Sequence, residues 1–277
     1  MNKTITIIKA SGERVPFSHE KYCQSLQRSG ADPELTEKVC AEIEPLVHDG
    51  MTTHELYQLT HQLLGKKQKR SVAGRYHFRQ AIMALGPSGF PFEQYVAELL
   101  KRQGYQVAVG QEIMGKCVSH EADIIAIKDH DRFIMECKFH HEPNARCSIQ
   151  TALYVKARYE DILARNHNND FSGMWLVTNA KISTVAIQYG LCVGMKLLAW
   201  DYPENNGLEK IVDQLGLHPI TCLSSLPKSA VTELLREGIV LCLDVHNHKD
   251  LLRRLHLSDE KVSDIFRECE EISGTQK

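Results

Sequence analysis

The sequence predicts an α/β protein in three parts: a small sheet with a helical bundle over residues 1–85, an α/β core with a mixed sheet over 86–204, and a helical module over 205–277. Three observations carry this reading. Apolar runs at 124–127 and 133–135 flank the polar stretch Lys128-Asp129-His130-Asp131-Arg132, as two strands flank a turn. Helical spacing over 149–162 is followed by the buried run Gly173–Thr178, as in a crossover to a parallel strand. Beyond Trp200, the turn-rich stretch 201–207 opens onto segments that are mostly helical.

In chain order, Ile5–Ile8 reads as a strand, Gly12 as a turn, Val15 as part of a short returning strand, and Ser18 as the cap of a helix containing Lys21. Asp49-Gly50 is a turn before the helix that begins near Thr53, and 71–79 forms a further helix. Gly89-Phe90-Pro91 opens another helix, with Phe92, Val96 and Leu99 on one face, which Gly104 ends. A strand over 105–109 leads to the hairpin. After the crossover helix and strand, Ser183 caps a helix ending at Gly190, and 195–200 is the last strand. Helices are expected at 208–215, 228–236 and 249–255 and after Ser258. Those around Arg236-Glu237-Gly238-Ile239 read either as a helix-hairpin-helix that grips a DNA phosphate or as a packing module. Arg253 and Arg254 are DNA contacts in the first case and solvated in the second.

The hairpin concentrates chemistry. Side chains alternate along a strand, so Glu136 and Lys138 share one face while Met135 and Cys137 take the other. Asp123 on the preceding strand adds a second carboxylate, and two carboxylates suit a hard divalent cation that keeps several waters. Asp123 followed by Glu136-Cys137-Lys138 resembles the PD-(D/E)xK nuclease superfamily, most closely its Mrr-like restriction endonuclease branch, over about residues 86–204. The resemblance implies Mg²⁺ (or Mn²⁺) on Asp123 and Glu136, Lys138 assisting the attacking water, and in-line hydrolysis of DNA that leaves a 5′ phosphate. It also makes Glu93 an auxiliary acid and Gln150 a neighbour of the active site. From the residues alone, Glu93 reads equally well as a carboxylate facing a helix macrodipole, and Gln150 as a helix-surface amide.

The opening segment, with Asp49–Leu56 and Ser71–Arg79, resembles an ATP-cone, a regulatory nucleotide-binding domain, over about residues 3–85. This implies ATP or dATP as an effector, with Lys9, Gly12, Lys21 and Thr53 as binding residues, and a homo-oligomer whose assembly responds to nucleotide. Ala10-Ser11 departs from the Arg-Asp pair usual in that family. No P-loop sequence is present to support hydrolysis. Basic residues in Lys66-Lys67-Gln68-Lys69-Arg70, continuing to Arg75 and Arg79, suit phosphates of the nucleotide, a DNA backbone, or water.

A formal net charge of −2 argues against a protein that coats nucleic acid non-specifically, while leaving room for a local basic cleft. Nine cysteines without a C-x-x-C pair point to reduced thiols in a cytoplasmic protein. A zinc site from Cys137, His140, His141 and Cys147 lacks paired ligand spacing. Neither a membrane span nor a signal peptide is apparent. The expected activity is thus nucleotide-regulated, Mg²⁺-dependent DNA cleavage. A catalytically silent, ATP-responsive DNA-binding or assembly protein and an RNA nuclease of related fold are the alternatives.

Overall fold

The computed structural model describes residues 5–9, 12–66, 70–142, 144–165 and 171–274. They form two compact units, each discontinuous in sequence. One combines Met1–Ala81 with Ile220–Glu233 and Cys242–Lys277, and the other combines Ile82–Pro219 with Leu234–Leu241.

In the first unit, β1 (Thr6–Ile8) turns back through Gly12, at φ +81°, to the antiparallel β2 (Arg14–Pro16). Helix α1 (His19–Arg28) follows, with Ser18 Oγ accepting the Lys21 N–H at 3.3 Å. Asp32 caps α2 (Pro33–Ile43) by accepting the Leu35 N–H at 2.7 Å, and Pro33 occupies the first turn, where no N–H is needed. Strand β3 (Met51–Thr52) pairs parallel to β1, giving the sheet order β2-β1-β3. Thr52 and Glu55 then exchange hydrogen bonds as a capping box at the start of α3 (Thr53–Lys66). Helices α4 (Arg70–Tyr76) and α5 (Phe78–Met83) close this stretch. Leu26, Val39, Ile43, Leu64 and Val72 are buried together between the helices.

The second unit contains α6 (Phe90–Arg102), β4 (Gln106–Met114), β5 (Ser119–Lys128), β6 (Asp131–Lys138), the short β7 (Arg146–Cys147) and α7 (Ile149–Arg165). It continues with β8 (Gly173–Thr178), the short β9 (Lys181–Ile182), α8 (Thr184–Cys192), β10 (Lys196–Leu198) and α9 (Leu208–Leu215). The five-stranded sheet has the order β10-β8-β6-β5-β4, antiparallel from β4 to β6 and parallel from β6 to β10. This is the mixed sheet that the sequence predicts. Asp129 and His130, at φ +50° and +78°, make the two-residue turn whose twist matches the β5–β6 pair. One helix end differs from expectation. Helix α8 runs past Gly190 to Cys192, because a Cβ at Gly190 would meet the Leu197 side chain at 2.9 Å, so this glycine serves close packing, and Gly194, at φ +71°, makes the turn.

The tail supplies α10 (Lys228–Arg236), α11 (Lys249–Arg254) and α12 (Asp259–Ser273), and Ser258 caps the last of these by accepting the Lys261 N–H. It forms no helix-hairpin-helix at Gly238. After α10 the chain makes a bridge from Leu241 to Pro219 and then a 3-10 segment, Cys242–His248. Arg253 pairs with Asp250 and Asp259 at 3.8 and 3.5 Å. Within the first unit, the tail packs on α4: a Cβ at Gly74 would lie 2.7 Å from the Cys222 carbonyl oxygen. Arg75 donates to the Ser29 and Glu271 carbonyls, so its guanidinium is committed to holding this packing. Lys67, Gln68, Lys69, Ala10 and Ser11 lie outside the described residues, as does the Lys66 side chain. No helix among the described residues is long and apolar enough to cross a membrane.

The expectation of reduced thiols throughout is corrected at one position. Cys23 on α1 and Cys40 on α2, 17 residues apart, form a disulfide with their Cα atoms 6.0 Å apart. The packing of neighbouring helices brings them together, which sequence spacing does not show. Cys137, Cys147, Cys222, Cys242 and Cys269 are free and buried.

Glu268 on α12 is 3% exposed and accepts from Ser224 N, Ser224 Oγ and Ser225 N at 2.8–2.9 Å. Glu268→Ala would strand those donors in the interior, and urea unfolding should show a loss of about 2–4 kcal/mol. A change under about 0.5 kcal/mol would mean that the network contributes nothing net.

Candidate active site

The site is built on the β5–β6 hairpin of the second unit. Ile124 pairs with Met135, so the antiparallel register sets Asp123 against Glu136, one step past the last ladder pair. Asp123 Oδ2 accepts the Cys137 N–H at 2.6 Å, which ties the first carboxylate to the backbone between Glu136 and Lys138. The exit of β6 is held as well. Thr178 Oγ1 donates to the Lys138 carbonyl at 2.6 Å, and the Asn179 amide bonds the backbone N–H and carbonyl of His140 at 2.8 and 2.7 Å.

Three carboxyl groups here are pushed above their ordinary range. Burial raises Glu136 to about 7, with Asp123 adding repulsion, and the nearby Arg158 and Lys138 oppose the shift without cancelling it. Burial likewise raises Glu93 to about 7, reinforced by the charges of Asp123, Glu121 and Glu136. Asp123 is raised by burial too, against the pull of the Cys137 N–H and Arg158. Glu93, in the first turn of α6, thus feels the hairpin carboxylates directly. Its place in the first turn of α6 fits the macrodipole reading as well.

Two members escaped the sequence reading. Arg158 on α7 makes an ion pair with Glu136 in which the two side chains are 14% and 19% exposed, and its guanidinium lies 5.2 Å from the centre of the Tyr154 ring. Its signal was an arginine on the buried stripe of α7 between Val155 and Ile162, where apolar residues dominate. Glu121, two residues before Asp123, shares its strand parity and acts on both Asp123 and Glu93. Gln150, by contrast, is exposed in the first turn of α7 and makes no hydrogen bond to the cluster among the described residues. Cys137, His140, His141 and Cys147, which lack the ligand spacing of a zinc site, do not gather as a metal-binding group among the described residues.

An oxygen-only donor set with a surplus of negative charge fits a hard divalent cation, which would offset the cost of holding these carboxyls charged away from water and beside one another. Asp123 and Glu136 are the two hairpin residues that could hold it.

In the first unit, the expected nucleotide ligands are dispersed over several elements. Lys9 and Gly12 bracket the β1–β2 turn, with the Gly12 N–H donating to the Lys9 carbonyl at 2.8 Å. The Lys9 ammonium pairs with Glu13 at 2.8 Å. Lys21 is exposed in the first turn of α1, and Thr53 begins α3.

The raised carboxyls make a signed pH prediction. A group whose folded pKa lies above its unfolded value of about 4.5 favours the folded state most below that pH, and the advantage disappears as pH rises through about 7. In chelator, the melting temperature should therefore fall between pH 5 and 7.5 on account of these groups, and Glu93→Gln should reduce the slope. Mg²⁺ should restore stability mainly above pH 7, where the carboxylates are already free of protons. A wild-type slope in Glu93→Gln would remove Glu93 from the cluster.

Residues 86–202 match the family described as restriction endonuclease, and residues 218–273 match that described as AF1548-like, C-terminal. An uncharacterized protein of Archaeoglobus fulgidus is 36% identical over 180 residues, spanning 65% of this chain and all of the relative. The crystal structure of AF1548, titled a protein of unknown function, superposes with a TM-score of 0.58 at 34% identity, covering 68% of this chain and all of that one. The chain belongs to the family of these proteins, with a restriction endonuclease domain over residues 86–202 followed by an AF1548-like C-terminal domain.

Proposed function

We propose that the protein is a divalent-metal-dependent DNA endonuclease whose catalytic centre is Asp123, Glu136 and Lys138. The observation that carries the proposal is the Asp123–Cys137 backbone hydrogen bond beside Glu136, which pins two carboxylates and a lysine to one short hairpin. The match of residues 86–202 to the restriction endonuclease family supports DNA as the substrate.

A divalent cation bound by Asp123 and Glu136 would polarise the phosphoryl oxygen and acidify an attacking water. Lys138, exposed and one alternation from Glu136, orients that water and offsets charge that builds on the phosphate. Arg158 holds Glu136 in place on α7. Glu93, poised near 7, is suited to exchange a proton at its carboxyl group close to neutral pH. In-line attack would then leave a 5′ phosphate.

A regulatory role for the amino-terminal unit is a separate part of the proposal. It rests on the three-stranded mixed sheet and its helices, the architecture expected of the nucleotide-binding resemblance, and on Lys9, Gly12, Lys21 and Thr53 at its turns and helix starts. ATP or dATP would act by binding one assembly state more tightly than another, because an effector shifts an equilibrium only through such a difference.

Asp123→Ala, Glu136→Ala and Lys138→Ala should each lower Mg²⁺-dependent cleavage of double-stranded DNA at least about 100-fold while leaving DNA binding near wild type. Cleavage at the wild-type rate by the Glu136 and Lys138 variants would overturn the assignment. Absence of cleavage by the wild-type protein on any DNA form, with binding retained, would favour a silent binding protein. Metal-independent cleavage of RNA would favour the related-fold nuclease.

For the regulatory part, ATP should shift the sedimentation profile and change the cleavage rate by about five-fold or more, the size expected of a typical coupling energy. Lys9→Ala with Lys21→Ala should abolish both responses. Nucleotide binding that alters neither property would make the unit a scaffold.

A further inference from the structure

We propose that Cys23, Cys40 and His19 form a zinc site when the Cys23–Cys40 disulfide is reduced. The ligand atoms of these three residues all lie within 4.8 Å of one another. His19 and Cys23 are one turn apart on α1, so they share a helix face, and both His19 ring nitrogens lie 3.7 Å from Cys23 Sγ. Zinc binds sulfur at about 2.3 Å and nitrogen at about 2.0–2.1 Å, so tetrahedral ligand atoms stand about 3.5–3.8 Å apart. The His19–Cys23 spacing is already that of one edge. Cys40 approaches from α2, and the 6.0 Å between its Cα and that of Cys23 lets the two sulfurs either bond to each other or flank an ion.

The disulfide accounts for the two sulfurs and leaves His19 unexplained. Glu44 also lies near the imidazole, its Oε2 3.8 Å from Nε2, as a carboxylate commonly lies beside a metal-binding histidine. Burial follows the same logic: Cys40 is 3% exposed and the His19 side chain 46%, so the site has a dry sulfur floor and an open mouth through which an ion and a fourth, water ligand can enter. The donor set of two thiolates and an imidazole selects zinc over Mg²⁺, which separates this site chemically from the all-oxygen cluster on the hairpin.

The redox step balances simply. A dithiol, itself oxidised to a disulfide, or a phosphine, oxidised to its oxide with oxygen from water, supplies two electrons; the S–S bond splits and takes two protons, from the dithiol or the water, to give two thiols. Zinc then displaces the two thiol protons and binds both sulfurs as thiolates, with His19 neutral.

Full-length protein, purified in a phosphine reductant and loaded with Zn²⁺, should retain one zinc per chain after gel filtration. Co²⁺ in its place should give the thiolate-to-metal charge-transfer band and tetrahedral d–d absorption. Cys40→Ser should lose the metal and the band. Because that variant also loses the disulfide, His19→Ala provides the independent check: it keeps both cysteines and should bind zinc at least tenfold more weakly. Without reductant, thiol titration of the denatured chain should find seven of the nine cysteines, and zinc should be excluded. Reduced protein that retains no zinc, or His19→Ala binding as tightly as wild type, would overturn the site.

Discussion

Carboxylates buried side by side on the β5–β6 hairpin are the constraint around which the second unit is organised. Each is costly to hold in its charged form away from water, and each makes its neighbours costlier. That cost appears in the upward shifts of Glu93, Glu136 and Asp123. The structure answers it with a backbone N–H from Cys137, a guanidinium from α7 and a hairpin whose far end is clamped by Thr178 and Asn179. These supports come from β6, α7 and β8, so the site depends on the crossover that brings those elements together. A hairpin alone would not keep this charge in place.

The other unit meets a different demand. Its helices bury a conventional apolar cluster, and the polar contacts there serve the packing: Arg75 on two carbonyls, Glu268 on three donors, Ser18 and Asp32 at helix starts. Arg75 joins the Glu271 carbonyl of the tail to the Ser29 carbonyl, while Glu268 ties α12 to Ser224 and Ser225 within the tail. The AF1548-like C-terminal segment therefore belongs to a unit begun by residues more than a hundred positions earlier.

Much of this was legible from short-range physics. The helix starts at Ser18, Ser183 and Ser258, the turn after Lys128 and the limits of α9 and α10 all follow from caps, glycines and apolar spacing within a few residues. Strand alternation, a local rule, put Glu136 and Lys138 on one face, while Asp123 joined them through the resemblance of the motif. Arg158 was not legible, since a charged residue on a helix stripe becomes informative only once its partner across the crossover is known. The Cys23–Cys40 pair was hidden for the same reason: helix packing sets that distance, and sequence separation does not. Gly190 misled because a glycine near a helix end reads as a stop, while its requirement is room for Leu197.

The choice of arginine at position 158 follows from the chemistry of its partner. A lysine at this place would present a compact point charge on a flexible stem, with no planar fork to fix the carboxyl. A guanidinium stays charged throughout, and its flat face can rest over Tyr154 while one edge meets Glu136. Arg158 meets Glu136 through Oε2, which leaves Oε1 outside this pair, so the guanidinium orders the acid without neutralising it by proton transfer.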